Sequence, residues 1–518
     1  MSTQEHAAQA RSPSTARGLW PLLGLLFVGI AATYLFFISA GIGTPIPPVS
    51  RYFTVLADGF LSGHLSMTVA PSPELLAKTD PYDHANSPLW VWDATLHEGR
   101  YYLYWGPVPA LLAAAVKLWA GRATQVGDEL LVLAFVLGRL AVGVLLLGLA
   151  LKWLFPRLRA WTAIPAVAVF GLGNPYPFGL GRAAVYEAAI EGAQFFLLAG
   201  LLMGLLAIGR SRSKRRERVL SMLAGCAWGA ALACRISLLF AVAALVLATA
   251  WVSAWGADRL RREAALRLIW IGAPVAFAVL LLGVYNYARF GSWTEVGATH
   301  QLGFLPFSFS LFRFLPNLHA YLLREVMLTC EFPFVFAPSE AKALTPAWVF
   351  ARQTGYLPLE PTVGMLIAVP FVVFGGVAVW TAARVCLQGR PSVPGAAIDP
   401  RDRLYVWLVT ACLAITLLAG LPALGMKFST MRFLADFTSG ALLAAAVGFW
   451  TSISGPMSAA RRRVVHAAGA LLAVYSVGFS VLLGFQGGYY FSFQRVNLAL
   501  HEQLTTSLSF CEDAGADR

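Results

Sequence analysis

Two carboxylates in the first long polar stretch have the setting of a general base. Asp58 sits in the run ADGFLSGHL, and Asp93 sits in a turn crowded by Trp90, Trp92, Tyr101, Tyr102, Tyr104 and Trp105. A carboxylate held beneath aromatic side chains suits proton abstraction from a sugar-sized hydroxyl acceptor, and aromatic faces pack well against the apolar faces of pyranose rings. His64, Tyr101, Tyr102 and Trp105 are the candidates to line such a site. Glu187 and Glu191 join them, lying four apart and so on one helix face. The plainer alternative is an interfacial belt of aromatics around solvated or helix-capping acids. A second set is cationic: Arg235 in LACRIS, Arg289, and Lys427 and Arg432 in GMKFSTMRFLADF. Each alone reads as a snorkelling side chain. Together they are what an anionic lipid head group needs.

These groups need elements to hold them, and composition says which kind. Of 518 residues, 58% are hydrophobic and 13% charged, roughly half the charged share of about 25% in water-soluble domains, and the mean hydropathy is +0.66. A soluble globule is excluded. A bilayer core takes about 20 apolar residues per helix, so the expected fold is all-α, a polytopic transmembrane helical bundle of about 11 spans. The apolar blocks lie near 19–43, 131–151, 161–176, 190–209, 219–234, 236–256, 268–288, 365–383, 404–422, 437–454 and 465–485. The first is too long for an ordinary signal-peptide core and reads as an uncleaved span.

The net charge of +13 is an orientation signal rather than a mark of nucleic-acid binding. With the apolar stretch 107–121 lying on the outer surface, six inner segments hold 22 of the 39 Lys and Arg, as cytoplasmic loops should. Letting that stretch span would flip every later loop and put RSRSKRRER (210–218) on the wrong side. The expectation is therefore a multi-pass protein of the cytoplasmic membrane. Its N-terminus (1–18) lies inside, a transmembrane domain covers 19–485, long loops at 44–130 and 289–364 lie outside, and so does the tail 486–518. By this segmentation 19 of 26 acids and six of eight histidines fall outside, so chemistry is expected there.

The second outer loop, with FLPFSFSLFRFLPNLHAYLLREVMLTCEFPFVF, reads as one or two amphipathic helices on the outer leaflet. Segment 389–397 reads as a cytoplasmic linker and 511–518 as a frayed tail. Arg139, inside the second span, carries an insertion cost of about 2.5–3.5 kcal/mol and should meet a carboxylate within the bundle. Cys330 and Cys511 both face the oxidising side, and a disulfide between them is one option that spacing does not decide. The sequence holds no P-loop, no strand-plus-GxGxxG unit, no HExxH and no CxxC, and its outer loops hold no DxD. No cofactor is expected, no metal ligand is assigned, and a divalent metal stays open.

On these residues the chain resembles the GT-C class of polytopic glycosyltransferases, which includes the protein O-mannosyltransferases and the aminoarabinose transferases of lipid A. The resemblance rests on ADGFLSGHL and GRYYLYWGPVPALL in the first outer loop, on the basic KWLFPRLR ending a span, on LACRIS between two spans, and on RFLADF before a late span. It implies transfer of a sugar from a polyprenyl-phosphate-linked donor to a glycan, lipid or protein acceptor at the outer face of the membrane. In the implied inverting displacement, Asp58 or Asp93 deprotonates the acceptor while Arg235, Arg289, Lys427 and Arg432 hold the leaving phosphate. Two departures stand out. The class carries an acid soon after the first span, where this chain has Pro48-Val49-Ser50, and a Lys-Pro-Pro-Leu-like stretch, where it has Trp105-Gly106 before Pro107. The alternatives are a transporter or flippase of a lipid-linked substrate, or a non-catalytic relative. Transporters gather ionisable groups at mid-membrane, and here only Arg139 lies deep.

Overall fold

Long apolar runs in this chain become helices, because in lipid each backbone polar group must find its partner within the segment. The computed structural model describes residues 14–173, 175–209, 213–255, 260–303, 308–338, 360–388, 399–487 and 493–511. Most of the expected inner N-terminus, the start of the 210–218 run, the linker 389–397 and the tail beyond 511 lie outside the described residues.

The described residues open with α1 (Ser14–Ile38), which leads into the first long loop. That loop holds α2 (Tyr52–Leu61), α3 (Pro73–Leu76), a hairpin of β1 (Thr95–His97) and β2 (Arg100–Tyr102), and α4 (Val108–Ala120). Next come α5 (Asp128–Leu154), α6 (Ala163–Leu172), α7 (Tyr176–Leu180) and α8 (Val185–Gly209), then α9 (Lys214–Leu232), α10 (Leu239–Ala254) and α11 (Leu260–Phe290). The second long loop carries α12 (Phe314–Leu323) and a hairpin of β3 (Met327–Leu328) and β4 (Val335–Phe336). The rest is α13 (Met365–Ala368), α14 (Phe374–Gln388), α15 (Pro400–Leu413), α16 (Leu421–Leu424), α17 (Met431–Ser454), α18 (Ala459–Gln486), α19 (Phe493–Val496) and α20 (Leu498–Leu508).

The protein is a polytopic helical bundle. Among the described residues, eight helices are long and apolar enough to cross a membrane: Gly18–Ile38, Asp128–Leu154, Val185–Gly209, Ala264–Phe290, Pro370–Gln388, Pro400–Leu424, Met431–Ser454 and Ala459–Gln486. Each of the eleven expected blocks coincides with helix. Those near 161–176, 219–234 and 236–256 are helices of 10, 19 and 16 residues, too short or too polar at one end to join the eight.

Helix α17 is the axis of the packing, buried along nearly its whole length. Its Ala, Gly and Ser residues let neighbours approach closely, as membrane helices require. A Cβ on Gly448 would lie 1.8 Å from the Phe374 carbonyl oxygen of the adjoining segment. By contrast α1 and α18 turn Leu25 and Leu471, each more than 70% exposed, outward to where lipid would lie.

The two long loops are clasped to the bundle by polar contacts. Asp128, at the head of α5, accepts from Ser50 Oγ at 2.5 Å and from the Tyr52 and Phe53 amides at 2.9 and 3.1 Å, so it satisfies the orphan donors at the start of α2. Glu129 accepts from the Val49 amide at 3.3 Å. Pro107 caps α4, whose inner face carries Ala110, Ala113, Ala114 and Lys117, while Trp119 is 89% exposed. In the second loop, Asn317 on α12 donates to the Leu424 and Met426 carbonyls at 2.8 and 2.9 Å. Cys330 and Cys511 form a disulfide, tying that loop to the chain end across 181 residues.

Candidate functional site

The neighbouring ends of α5, α8 and α17 bring together a layer of ionised side chains that the sequence scatters over nearly 350 positions. Asp93 opens it. Its backbone lies in the left-handed region at φ 62°, which Asp tolerates better than most residues. The conformation is enforced from the second long loop: the Asp93 amide donates to Leu302 O and the Leu302 amide to Ala94 O, both at 2.8 Å, while Thr95 bridges to Gln301. Asp93 Oδ1 accepts from the Tyr186 hydroxyl at 2.6 Å and from Gln301 Nε2 at 3.3 Å.

Behind this acid stands Arg432, on the first turn of α17. Its Cζ lies 4.0 Å from the centroid of the Tyr186 ring, a cation–π contact. Its Nη2 donates to Glu360 Oε1 at 2.5 Å, and Thr430 Oγ1 bonds the other oxygen of Glu360. Nε and Nη1 of Arg432 are buried with no hydrogen-bond partner among the described residues. One turn on, Asp436 receives Arg235 Nε and Nη2 at 3.0 and 2.8 Å. Arg235 is placed there by the break between α9 and α10, where its extended backbone (φ −152°) ends one helix and leads into the next.

Deeper on α8, Glu191 accepts from Arg139 Nε at 3.0 Å. Arg139 also donates to the Tyr34 hydroxyl at 3.0 Å and lies 3.4 Å from the Tyr176 ring centroid. The expected carboxylate partner of Arg139 is thus Glu191. Glu187 accepts from the Ala184 amide at 3.3 Å and faces Arg182 and Arg432. Glu187, Glu191, Tyr176 and Arg432 surround a chamber of about 20 Å³, enough for a single water.

Tyrosines complete the layer without competing for the base role. Burial pushes the Tyr52 hydroxyl up to about 12, with Asp93 and Asp128 adding to the effect. It donates to Trp92 O at 2.5 Å. Tyr104 is likewise raised by burial and then by Asp93. Both remain protonated near neutrality.

Several expected site residues lie elsewhere. Asp58 pairs with Lys117 Nζ at 2.5 Å, and Lys117 is only 1% exposed, so this acid joins α2 to α4. No described contact links it to Asp93, Arg235 or Arg432. Arg289 stands apart from the other cations: its guanidinium donates to Leu103 O at 2.7 Å and Asn286 Oδ1 at 2.8 Å and stacks on Tyr285 at 3.8 Å. Tyr101 and Tyr102 also lie apart from the layer. Successive strand residues point to opposite faces, so Tyr101 enters the core and Tyr102 packs on Phe290, leaving both under 10% exposed. Trp105 does reach the layer, its ring edge-on to Tyr186 at 4.7 Å. Lys427 is half-buried in the turn ahead of α17.

His64 belongs to a different feature. It edges an apolar groove of about 550 Å³ lined by Phe60, Val108, Leu111, Ala233, Leu281 and Tyr285, among others. The groove and the charged layer lie on either side of Trp105-Gly106. Gly106 is required there, since a Cβ would fall 1.9 Å from Ala233 O, whose carbonyl also accepts from the Val108 amide.

Tyr186, Gln301, Glu360 and Asp436 were not singled out from sequence. The run RFLADF placed Asp436 four residues from Arg432, on the same helix face, and was the one local signal available. No group of three or more His, Cys, Asp or Glu among the described residues has metal-holding geometry.

No protein-family model matches the sequence, and no curated protein matches it. Among solved structures, the chain is similar to the apo crystal structure of the Archaeoglobus fulgidus oligosaccharyltransferase, at 14% identity and a TM-score of 0.43, over 91% of this chain and 57% of that one. It is also similar to the archaeal oligosaccharyltransferase AglB from Archaeoglobus fulgidus in complex with an inhibitory peptide and a dolichol-phosphate. That match has 12% identity and a TM-score of 0.43, over 96% of this chain and 60% of that one. The chain spans less than two thirds of the length of either.

Proposed function

We propose that this protein is an integral-membrane glycosyltransferase of the GT-C kind, moving a sugar from a polyprenyl-phosphate-linked donor to an acceptor at the outer face of the cytoplasmic membrane. The observation that carries this is the pairing of an acid and a cation around one aromatic ring. Asp93 accepts from Tyr186, and Arg432 sits on the same ring with two buried N–H groups that have no partner among the described residues. Buried unpaired donors are costly unless something fills them, and a phosphate oxygen is the matching acceptor.

In the reaction, Asp93 takes the proton of the acceptor hydroxyl while that oxygen attacks the anomeric carbon in line. The carbon–oxygen bond to phosphate breaks, and its electron pair leaves with the lipid phosphate. Arg432 stabilises the charge that develops, with Arg235 and Lys427 supporting it and Trp105 forming one wall. The apolar groove beyond Trp105-Gly106 accommodates the first isoprene units. Asp58 serves the architecture rather than the chemistry.

The test is a transfer assay on the purified full chain in lipid nanodiscs, with a panel of polyprenyl-phosphate-linked sugars and release of polyprenyl phosphate as readout. Release by the native protein, and none by Arg432→Gln at equal folded amount, supports the proposal. Equal release by both removes Arg432 from the donor site, and no release with any donor sinks the function.

A further inference from the structure

Both hydrogen bonds that Asp93 receives land on one oxygen. Tyr186 Oη donates to Oδ1 at 2.6 Å, Gln301 Nε2 reaches the same atom at 3.3 Å, and Gln301 Nε2 lies 3.5 Å from the Tyr186 oxygen. Among the described residues no donor reaches Oδ2. The two donors come from unconnected parts of the chain, one from α8 and one from the second long loop, whose backbone also clamps Asp93 and Ala94. The Tyr186 ring is itself fixed, with Arg432 over its face at 4.0 Å and Trp105 against it at 4.7 Å.

We infer that Tyr186 and Gln301 are positioning residues that hold Oδ1 of Asp93, so that Oδ2 alone receives the acceptor proton. This rests on the base role given to Asp93 above. Free rotation of a carboxylate presents either oxygen at varying angles. Two donors on one oxygen remove that freedom and aim the other at a fixed point, the kind of orientation that general-base catalysis needs. In the transfer step the acceptor O–H proton passes to Oδ2, the acceptor oxygen bonds the anomeric carbon, and the departing phosphate takes the electrons of the broken bond. Because Arg432 rests on the ring whose hydroxyl holds Asp93, Tyr186 also sets the spacing between base and leaving group. A side chain needed only to fill space would be replaced without loss by Phe.

The experiment uses full-length Tyr186→Phe, Gln301→Ala and Asp93→Asn in nanodiscs, with infrared difference spectra on protein labelled at the aspartate carboxyl carbon. The band that disappears in Asp93→Asn reports this carboxylate. The inference expects that band to shift in both Tyr186→Phe and Gln301→Ala, because a hydrogen bond to one oxygen polarises the group. With the donor that supports native transfer, kcat per folded molecule should fall about 10- to 100-fold in Tyr186→Phe while KM for donor and acceptor stays within about two-fold. An unshifted band overturns the inference whatever the activity. So does a shifted band with native kcat. Native transfer by Asp93→Asn instead overturns the base assignment, and is distinguished from both because the band shifts in Tyr186→Phe and Gln301→Ala are read independently of that variant's activity.

Discussion

Asp58 and Asp93 occupy one long loop, but they answer to different partners. Asp58 neutralises a lysine that is only 1% exposed, so Asp58→Asn leaves a buried ammonium unpaired. The expected outcome is a loss of about 1–3 kcal/mol in stability, seen as a lower unfolding temperature, with transfer per folded molecule nearly unchanged. Asp93→Asn should do the reverse, lowering transfer by about 10²–10⁴ at an unaltered unfolding temperature. Crossed results would reassign the base. Glu360 gives a second residue-scale test. It holds one end of the Arg432 guanidinium, so an arriving phosphate competes with it, and Glu360→Gln should lower the donor KM about three- to ten-fold by freeing roughly 1 kcal/mol of ion pairing. A raised KM would mean that Glu360 presents Arg432 instead of masking it. At this scale the sequence was half legible. The aromatics around Asp93 drew notice to it, because composition is local, whereas Tyr186, Gln301 and Glu360 lie 93, 208 and 267 positions further on, with nothing in their neighbourhoods to mark them.

At the scale of elements, hydropathy made the helices readable, since a span is a local run of apolar residues. What joins them was not readable. The carboxylate that the GT-C resemblance implies near residues 48–50 is absent from the chain at that point, yet Asp128 and Glu129 bond to Ser50 and Val49 in space. They sit at the head of α5, where acids read simply as favourable to the helix dipole. Asp128 accepts three hydrogen bonds around the start of α2, and α2 forms one wall of the apolar groove through Phe60. Asp128→Ala strips two backbone amides of their acceptor, at about 1.5–3 kcal/mol for bonds to a charged group. Hydrogen exchange of the Tyr52 to Phe60 amides should then accelerate at least tenfold while amides of α17 keep their protection. Uniform acceleration through both helices would show that α2 is not an independently opening unit.

For the whole molecule, the deepest charge decides how the bundle closes. Arg139 is completely buried between α1, α5, α7 and α8, and its guanidinium meets Glu191, the Tyr34 hydroxyl and the Tyr176 ring. Tyr34 passes the connection on, donating to Gly171 O at 2.5 Å. A single network therefore ties the first span to four later helices just below the proposed site, and it explains why sequence alone could demand a partner for Arg139 without naming one: the demand follows from the cost of a buried charge, and the identity follows from packing. Such a pair is not itself a strong source of stability, because both ions forgo water. Removing one ion is another matter. Arg139→Met or Glu191→Gln should each lower stability by about 3–5 kcal/mol, whereas Arg139→Met combined with Glu191→Met removes both desolvation costs and should recover most of that loss. Unfolding of the purified protein in one detergent measures all three variants against the native chain. Additive losses in the double variant would mean that the two side chains act separately. Recovery of stability without recovery of transfer would show that the pair is kept for the register of α5 against α8, which sets where Glu187, Tyr186 and Arg432 stand.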